Sequence, residues 1–485
     1  MSDDKNKLIS GVFWTAVQNY SGLILSTIIS MVLARLLSPA EFGTVAIASV
    51  IISFLTMIST MGLGPAIIQR RDLTEENLNS VFTFSILVGS ILAIVLFVCS
   101  WPIAKFYGND QLVPVCQILS VQLFFAAINM VPNALMSKNL KFKQMAKRTV
   151  ILLLITGPTS ILAAYLGAGV FALLISPLVN AIGIFVYNRQ FFKLKAIRHL
   201  DWSVMKGLFS YSTFQFLFQF INFWTTNIDK LIIGKAITPQ ALGYYQKSYQ
   251  LVQIPLSQVG GIVYPVLQPI FSKYQDDKQL LAEKYLVIIR LVAAICLPLG
   301  ILMYFCGSEI IYIFFGPNWE PAVPTFKILS LTVPLFMVLP IAGSFFQASN
   351  EIKNLFIIGV INAVVTVSFL SFACFAYKSI EAVAIAYGLS TLSNFLCTYT
   401  IMFKRVLHSS LFKALSYFVK PVIGALIVAA CLFVVQRFFP DYFVPKFLIK
   451  CLLGGGVTAV YLQLSGIFDV ISFVKNDLLK RNENA

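Results

Sequence analysis

Five polar side chains interrupt the apolar stretch 208–233: Gln215, Gln219, Asn222, Thr226 and Asp229, spaced 4, 3, 4 and 3 residues apart. In a helix that spacing puts all five on one face. The next apolar stretch carries Gln246, Gln250, Gln253 and Ser257 at spacings of 4, 3 and 4, with Lys247 adjacent. Such rows are costly against lipid and must face protein or water. Lining a hydrated cleft is one reading; interhelical hydrogen bonding in a dry bundle is the other. Asp229 is a candidate for binding a coupling cation and Lys247 for meeting an anionic substrate. An unpaired charge deep in a bilayer costs about 2.5–3.5 kcal/mol, so mutual pairing of the two is expected, and the bland alternative is snorkelling to the interface. Snorkelling is the reading taken for Lys230. Arg290, six residues into its own apolar stretch, offers a phosphate contact or another snorkelling cation.

The elements that must hold these residues are spanning helices. Of 485 residues, 58% are hydrophobic and 12% charged, against about 25% charged in soluble domains. A spanning helix needs roughly 20 apolar residues. Fourteen stretches qualify, at about 9–34, 42–66, 80–103, 112–135, 149–167, 169–190, 208–233, 243–268, 284–305, 325–347, 354–376, 380–403, 415–436 and 447–472. The first follows Lys5 and Lys7, is too long for a signal-peptide core and lacks a small-residue cleavage site, so it is a retained span. The fold class is an all-α polytopic membrane protein.

A net charge of +16 invites a nucleic-acid partner, but topology accounts for it. With the N-terminus inside, 25 of the 36 Lys and Arg fall in inside segments, 7 in outside loops and 4 within spans, as the positive-inside rule requires. The richest inside loops are 138–148 and 189–200; Lys446 counts as outside and Lys450 as within a span. An even number of spans puts the C-terminus inside too. The eight cysteines form no CxxC pair, so nothing points to metal or a disulfide framework.

The chain repeats itself. "ARLLSPAEFG" (34–43) returns as "GKAITPQALG" (234–243), pairing Arg35 with Lys235, Ser38 with Thr238, Pro39 with Pro239 and Gly43 with Gly243. "FYGNDQLVPVCQILS" (106–120) returns as "FFGPNWEPAVPTFKILS" (314–330). The polar face recurs as well: Thr15, Asn19, Gly22 and Ser26 stand at the register of the later stripe, with Gln18 beside them. Two six-helix lobes in the same orientation follow, as parallel repeats: residues 1–192 and 208–405, joined by a cytoplasmic linker at 193–207. Residues 406–485 add two helices and a tail. Pro and Gly suit a tight break between helices, and Ser38 and Thr238 can cap the helix that follows. Arg35 and Lys235 shape that corner or stand as cationic posts at an outer gate.

Enzymatic readings find no support in the residues. The only histidines, His199 and His408, sit in basic inside loops, and no Walker, HExxH or GxSxG motif is present. No cofactor is called for.

The repeated turn, "GYYQKSYQL" after its second copy, "FFGPNWEPAVPTFKILS" and "NIDKLIIG" resemble bacterial polysaccharide exporters of the MOP flippase superfamily. The likeness is nearest to the Wzx-type O-antigen and capsule (colanic-acid-like) flippases and covers essentially the whole chain. It implies a V-shaped, MATE-like pair of six-helix lobes plus two C-terminal helices, and a bacterial cytoplasmic (inner) membrane location with both termini cytoplasmic. It implies alternating access that carries an undecaprenyl-diphosphate-linked oligosaccharide between leaflets, with H+ or Na+ as coupling ion, membrane lipid and polysaccharide polymerase machinery as partners, and no nucleic acid. Gln18, Asn19, Gln215, Gln219, Asn222, Lys247, Gln250, Gln253 and Arg290 would line the cavity. In relatives the extra helices help form a lipid-tail groove. Peptidoglycan-precursor flippases place several arginines in the cavity; here Arg35, Lys235, Lys247 and Arg290 are the only candidates. The alternatives are a MATE-like multidrug or other lipid-precursor exporter and, more remotely, a membrane-embedded glycan polymerase or ligase. Twelve spans are usual for the drug exporters, and the last two helices argue against that reading.

Overall fold

With no water to satisfy it, backbone in a hydrocarbon environment must close its hydrogen bonds within the segment, which selects helices. The computed structural model describes residues 2–70, 72–197, 200–274, 277–407, 410–438, 443–469 and 472, and among them the regular structure is helical throughout. Among the described residues, eleven helices are long and apolar enough to span a membrane. A bent pair, Pro317–Ser330 with Val333–Ala348 at 43°, makes a twelfth. The other two expected spans form single helices of 35 and 34 residues, Trp202–Ala236 and Pro239–Ser272. Their length, about 50 Å at 1.5 Å per residue, is ample; the amides and charges that interrupt them lower their apolar content. Fourteen spans are thus compatible with the fold.

The chain divides into two compact units, Met1–Gly243 and Tyr244–Ala485. The first contains α1 (Ser2–Leu36), α2 (Pro39–Thr60), α3 (Leu63–Gln69), α4 (Glu75–Tyr107), α5 (Leu112–Ile128), α6 (Met130–Lys138), α7 (Phe142–Tyr165), α8 (Ala172–Arg189), α9 (Trp202–Ala236) and the start of α10 (Pro239–Ser272). Here α1 packs on α7, α4 on α5, α7 on α8, and α5 on both α2 and α8, while α9 lies against α2, α3 and α4. Small residues permit the close approaches. A Cβ added to Gly89, Gly157 or Gly183 would fall 2.8, 2.7 or 2.3 Å from Ala127, Ile29 or Leu152 on the facing helix, as expected where packing rather than water exclusion joins helices. The segment after α8 is laced along α4: the backbone N–H groups of Lys195, Ile197 and Asp201 donate to Asn79 Oδ1, Thr83 Oγ1 and Ser80 Oγ at 2.8–2.9 Å. Just before α4, Arg70 binds Asp72 at 2.8 Å and holds its carboxyl below the ordinary carboxylate range.

The second unit contains the rest of α10 and α11 (Lys278–Phe305), α12 (Gly307–Phe315), α13 (Val323–Ser330), α14 (Val333–Ala348), α15 (Ile352–Tyr377), α16 (Ile380–Ile401), α17 (Leu411–Phe438) and α18 (Phe443–Leu464). Helix α11 is its axis, touching α13, α14, α17 and α18. The two C-terminal helices therefore dock on α11. Residues 306–324 contain α12 and a 3-10 turn at Pro317–Ala322. In both copies of the aromatic-Gly segment the glycine ends a helix at positive φ: Gly108 at 65° after α4 and Gly316 at 91° after α12. Only glycine takes that conformation freely.

The duplicated turns meet inside the first unit. Glu41 accepts from Ser38 N at 2.7 Å and from Ser38 Oγ at 2.8 Å at the start of α2. At the start of α10, Thr238 Oγ1 accepts from Ala241 N at 3.1 Å. Both capping expectations hold, with Pro39 and Pro239 each opening a helix. The contact between the copies is reciprocal. A Cβ added to Gly43 would lie 1.6 Å from the carbonyl oxygen of Pro239, and one added to Gly243 would lie 1.9 Å from that of Pro39. Each glycine is the space occupied by the other copy's backbone. Gly43→Ala or Gly243→Ala should therefore force the turns apart and lower stability by about 1–3 kcal/mol, the usual cost of overpacking. Gly64→Ala, where nothing lies within 4 Å, is the control. Thermal unfolding of the purified protein in detergent checks this, and equal melting of Gly43→Ala and Gly64→Ala would refute the contact.

Candidate functional site

The polar stripe on α9 survives as a surface that is neither fully packed nor fully apolar. Asn222 is exposed and Gln219 half-buried. Thr225, Thr226 and Asn227 turn their side chains back to carbonyls one turn earlier, Ile221, Asn222 and Phe223, at 2.8–3.0 Å. Those hydroxyls and that amide meet part of their needs inside the helix. Asp229, one turn further on, is only 2% exposed. Lys230 does not simply reach for the interface: its Nζ donates to Asn227 Oδ1 at 2.8 Å. On α1, Asn19, Thr15 and Ser26 are exposed and Gln18 is half-buried, so the earlier copy of the stripe is likewise accessible. The side chain of Gln215 lies outside the described residues, as do His199 and His408.

In the second unit Gln250 is exposed and Gln253 half-buried on α10. Lys247 is 5% exposed; its Nζ lies 5.2 Å from the centre of the Phe315 ring and donates to Gln250 at 3.3 Å. Next to it, Ser248 Oγ donates to the carbonyl of Ala322 at 3.0 Å, fixing α10 against the 3-10 turn. Arg290 is half-buried on α11. At the duplicated turns Arg35 and Lys235 are both exposed. Lys235 donates to the backbone carbonyl of Phe106 and stands 4.6 Å from that ring's centre. It thereby closes the last turn of α4, where cations satisfy helix carbonyls and the helix dipole.

Two buried charge clusters escaped the sequence reading. Arg148, assigned to an inside loop, sits on α7 and is 5% exposed. Its Nη1 donates to Asn133 Oδ1 at 2.9 Å and Asn188 Oδ1 at 2.5 Å, and Asn188 Nδ2 donates back to Asn133 at 3.0 Å. Three helices, α6, α7 and α8, are joined by one guanidinium and two amides. In the second unit Lys450 on α18 is fully buried and binds Glu309 on α12 and the carbonyl of Phe305 at 2.7 Å. Lys446, counted as an outside-loop cation, is on the same helix one turn earlier and is 4% exposed. The sequence did carry a signal for this cluster: Lys446 and Lys450 stand four apart in a spanning helix, and a glutamate opens the helix after α11. Among the described residues, no three His, Cys, Asp or Glu side chains converge as a metal site.

Comparison with known proteins gives a consistent result. Residues 32–324 match the family described as polysaccharide biosynthesis protein. The teichuronic acid biosynthesis protein TuaB of Bacillus subtilis is 28% identical over 80% of this chain and 81% of its own length. The succinoglycan biosynthesis transport protein ExoT of Rhizobium meliloti is 23% identical over 97% of this chain and 94% of its own. Among solved structures, the lipid II flippase MurJ in an inward closed conformation superposes with a TM-score of 0.75 at 16% identity. That match covers 93% of this chain and 98% of that one, and establishes a shared fold.

The buried pair yields a sharp expectation. Lys450→Met strands the Glu309 charge and should cost about 3–5 kcal/mol. Adding Glu309→Leu to Lys450→Met should recover most of that loss. Unfolding in detergent of both single variants and the double variant measures the coupling; additive effects would show that the pair does not act as a unit.

Proposed function

The chain belongs to the polysaccharide biosynthesis protein family, and from that premise we propose that it is a flippase. It moves a lipid-linked oligosaccharide repeat unit from the cytoplasmic to the outer leaflet of the bacterial inner membrane, for capsule, O-antigen or exopolysaccharide synthesis. The cargo is undecaprenyl-diphosphate-linked, the cycle is alternating access driven by an H+ or Na+ gradient, and the protein acts as a transporter rather than an enzyme. The repeats at 1–192 and 208–405 serve as the moving lobes, and the relatives' names, transport among them, support this reading over a drug exporter.

The observation that carries it is the set of exposed polar side chains on otherwise apolar helices: Asn19 and Ser26 on α1, Asn222 on α9 and Gln250 on α10. Lipid cannot solvate them, so in each unit they mark a surface suited to border a wet path. A diphosphate-sugar head needs such a path, because its charge cannot cross hydrocarbon unaided. Hydroxyl-rich sugar exchanges hydrogen bonds with amides one for one, and the cationic groups available to the phosphates, Lys247 and Arg290, act as point charges. The polyprenyl chain stays in lipid throughout. The meeting of the duplicated turns at Gly43 and Gly243 supplies the outer closure, with Arg35 and Lys235 beside it.

Translocation of a labelled polyprenyl-linked oligosaccharide in proteoliposomes, run against a matched drug-efflux assay, tests the assignment. Sugar-lipid movement without drug efflux is expected; no movement under any ion gradient would sink it. Asp229→Asn should lower transport about tenfold, the effect of losing one interaction of about 1.4 kcal/mol, while membrane insertion stays intact. Full activity would remove Asp229 from coupling. Neutralising Arg35 and Lys235 together, as Arg35→Gln and Lys235→Gln, should slow export if they are gate posts; an unchanged rate would leave them as corner residues.

A further inference from the structure

A cavity of about 520 Å³ opens in the first unit. Five phenylalanines line it: Phe82, Phe124, Phe125, Phe185 and Phe192. They come from the start of α4, the end of α5, the end of α8 and the segment that follows. The charge count places these helix ends inside. Among the described residues that line the cavity, the charged ones are Arg189 and Lys195, and none is acidic. Both belong to the basic stretch 189–200, which the transport reading leaves without a task.

The walls are held in place. Phe125 meets Phe185 edge-on with ring centres 5.7 Å apart, and Phe124 packs against Phe125 at 5.4 Å. The rim that carries Phe192 and Lys195 is tied to α4 through the backbone N–H groups of Lys195 and Ile197, each at 2.9 Å from a side-chain oxygen of that helix. The ammonium of Lys141 stands 5.0 Å from the centre of the Phe192 ring. The two lining cations are not held in this way. Arg189 and Lys195 are exposed, and among the described residues neither head group enters a hydrogen bond or an ion pair. A further positive charge backs the wall. Asn133 and Asn188, the amides that hold buried Arg148, are chain neighbours of the lining residues Pro132 and Arg189. The corner thus combines an aromatic slot with positive charge and no lining carboxylate.

We propose that this cavity binds an anionic glycerophospholipid of the inner leaflet, its phosphate on Arg189 and Lys195 and an acyl chain among the phenylalanines. A soluble phosphate would leave the aromatic walls unfilled, and a neutral lipid would leave the two cations without a counter-charge. Anionic lipid is enriched at the cytoplasmic surface, where basic pockets between spanning helices take its head groups. The planar guanidinium of Arg189 suits two phosphate oxygens at once, and Lys195 adds a mobile point charge. Leu87 and Val186, next in the chain to lining residues Ile86 and Phe185, are exposed and continue the slot as an apolar flank. The volume is within the range of small-ligand sites. A lipid seated there would bridge α4, α5 and α8 at one end of the unit. The site is separate from the polar stripes and does not rest on the transport assignment.

Ligand-induced thermal stabilisation of the full chain in a neutral detergent tests it, with no gradient or cargo present. The probes are dihexanoyl-phosphatidylglycerol, dihexanoyl-phosphatidylcholine and glycerol 3-phosphate. Saturable binding of phosphatidylglycerol, about tenfold tighter than of either other probe, is expected. Arg189→Gln with Lys195→Gln should weaken it about tenfold. Lys147→Gln with Lys193→Gln removes the same charge from exposed positions outside the lining and should leave the affinity within about twofold. Melting of each variant without lipid separates lost binding from a folding defect, and Arg189→Lys with Lys195→Arg, which keeps both charges, should retain binding. An unchanged affinity in the first glutamine pair, or an equal loss in both glutamine pairs, overturns the site. Equal binding of the two lipids overturns the charge contact, and glycerol 3-phosphate binding as tightly as phosphatidylglycerol overturns lipid as the occupant.

Discussion

A bilayer offers polar groups no solvent, so each one must find protein or trapped water. Nearly every feature described here follows from how this chain meets that demand. Backbone groups are closed in helices. Hydroxyls on α9, and elsewhere those of Ser85, Ser100 and Ser330, turn back onto their own helix. Charges that cannot do so are gathered in pairs and triads: Arg148 with Asn133 and Asn188, and Lys450 with Glu309. Each of these ties together helices that apolar packing alone would leave free to slide, since lipid tails are as apolar as leucine. The accessible amides Asn19, Asn222 and Gln250 on α1, α9 and α10 stand out against that background.

The two clusters differ in kind. The guanidinium of Arg148 has amide partners only, a neutral cage that spreads its charge over two carbonyl dipoles. The Lys450 ammonium has a carboxylate, and the pair lies where the added helix α18 joins the core of its unit. Fastening a late-added helix by a buried ion pair gives a fixed register: translation of α18 by one residue would take Lys450 away from Glu309 and from the Phe305 carbonyl together.

Much of this was legible in the residues. Spacing and composition gave the all-helical, multi-span class. The duplicated turn gave the helix starts at Pro39 and Pro239, with their caps at Ser38 and Thr238. Boundaries were less legible, because apolar composition does not say where a helix starts: Arg148 and Lys446 were placed in loops although α7 and α18 had already begun. The break between α13 and α14 was missed for the same reason, since a span that bends by 43° at Leu331 and Thr332 reads as continuous hydrophobicity. The pairing of Lys450 with Glu309 spans 141 residues, and no local pattern encodes a contact at that separation. The roles of Asp229 and Lys247 depend on what reaches them, which spacing alone does not specify.

The reciprocal contact of the two turns has a consequence for how the halves of the gene can change. Elsewhere little of the first half resembles the second, and positions are free to differ. At Pro39, Gly43, Pro239 and Gly243 that freedom is absent. Any side chain at one glycine strikes the main chain of the opposite copy, and no change of side chain at the opposite proline can make room for it. The likeness of "SPAEFG" and "TPQALG" is then a shared steric boundary condition, held by each turn on the other's behalf.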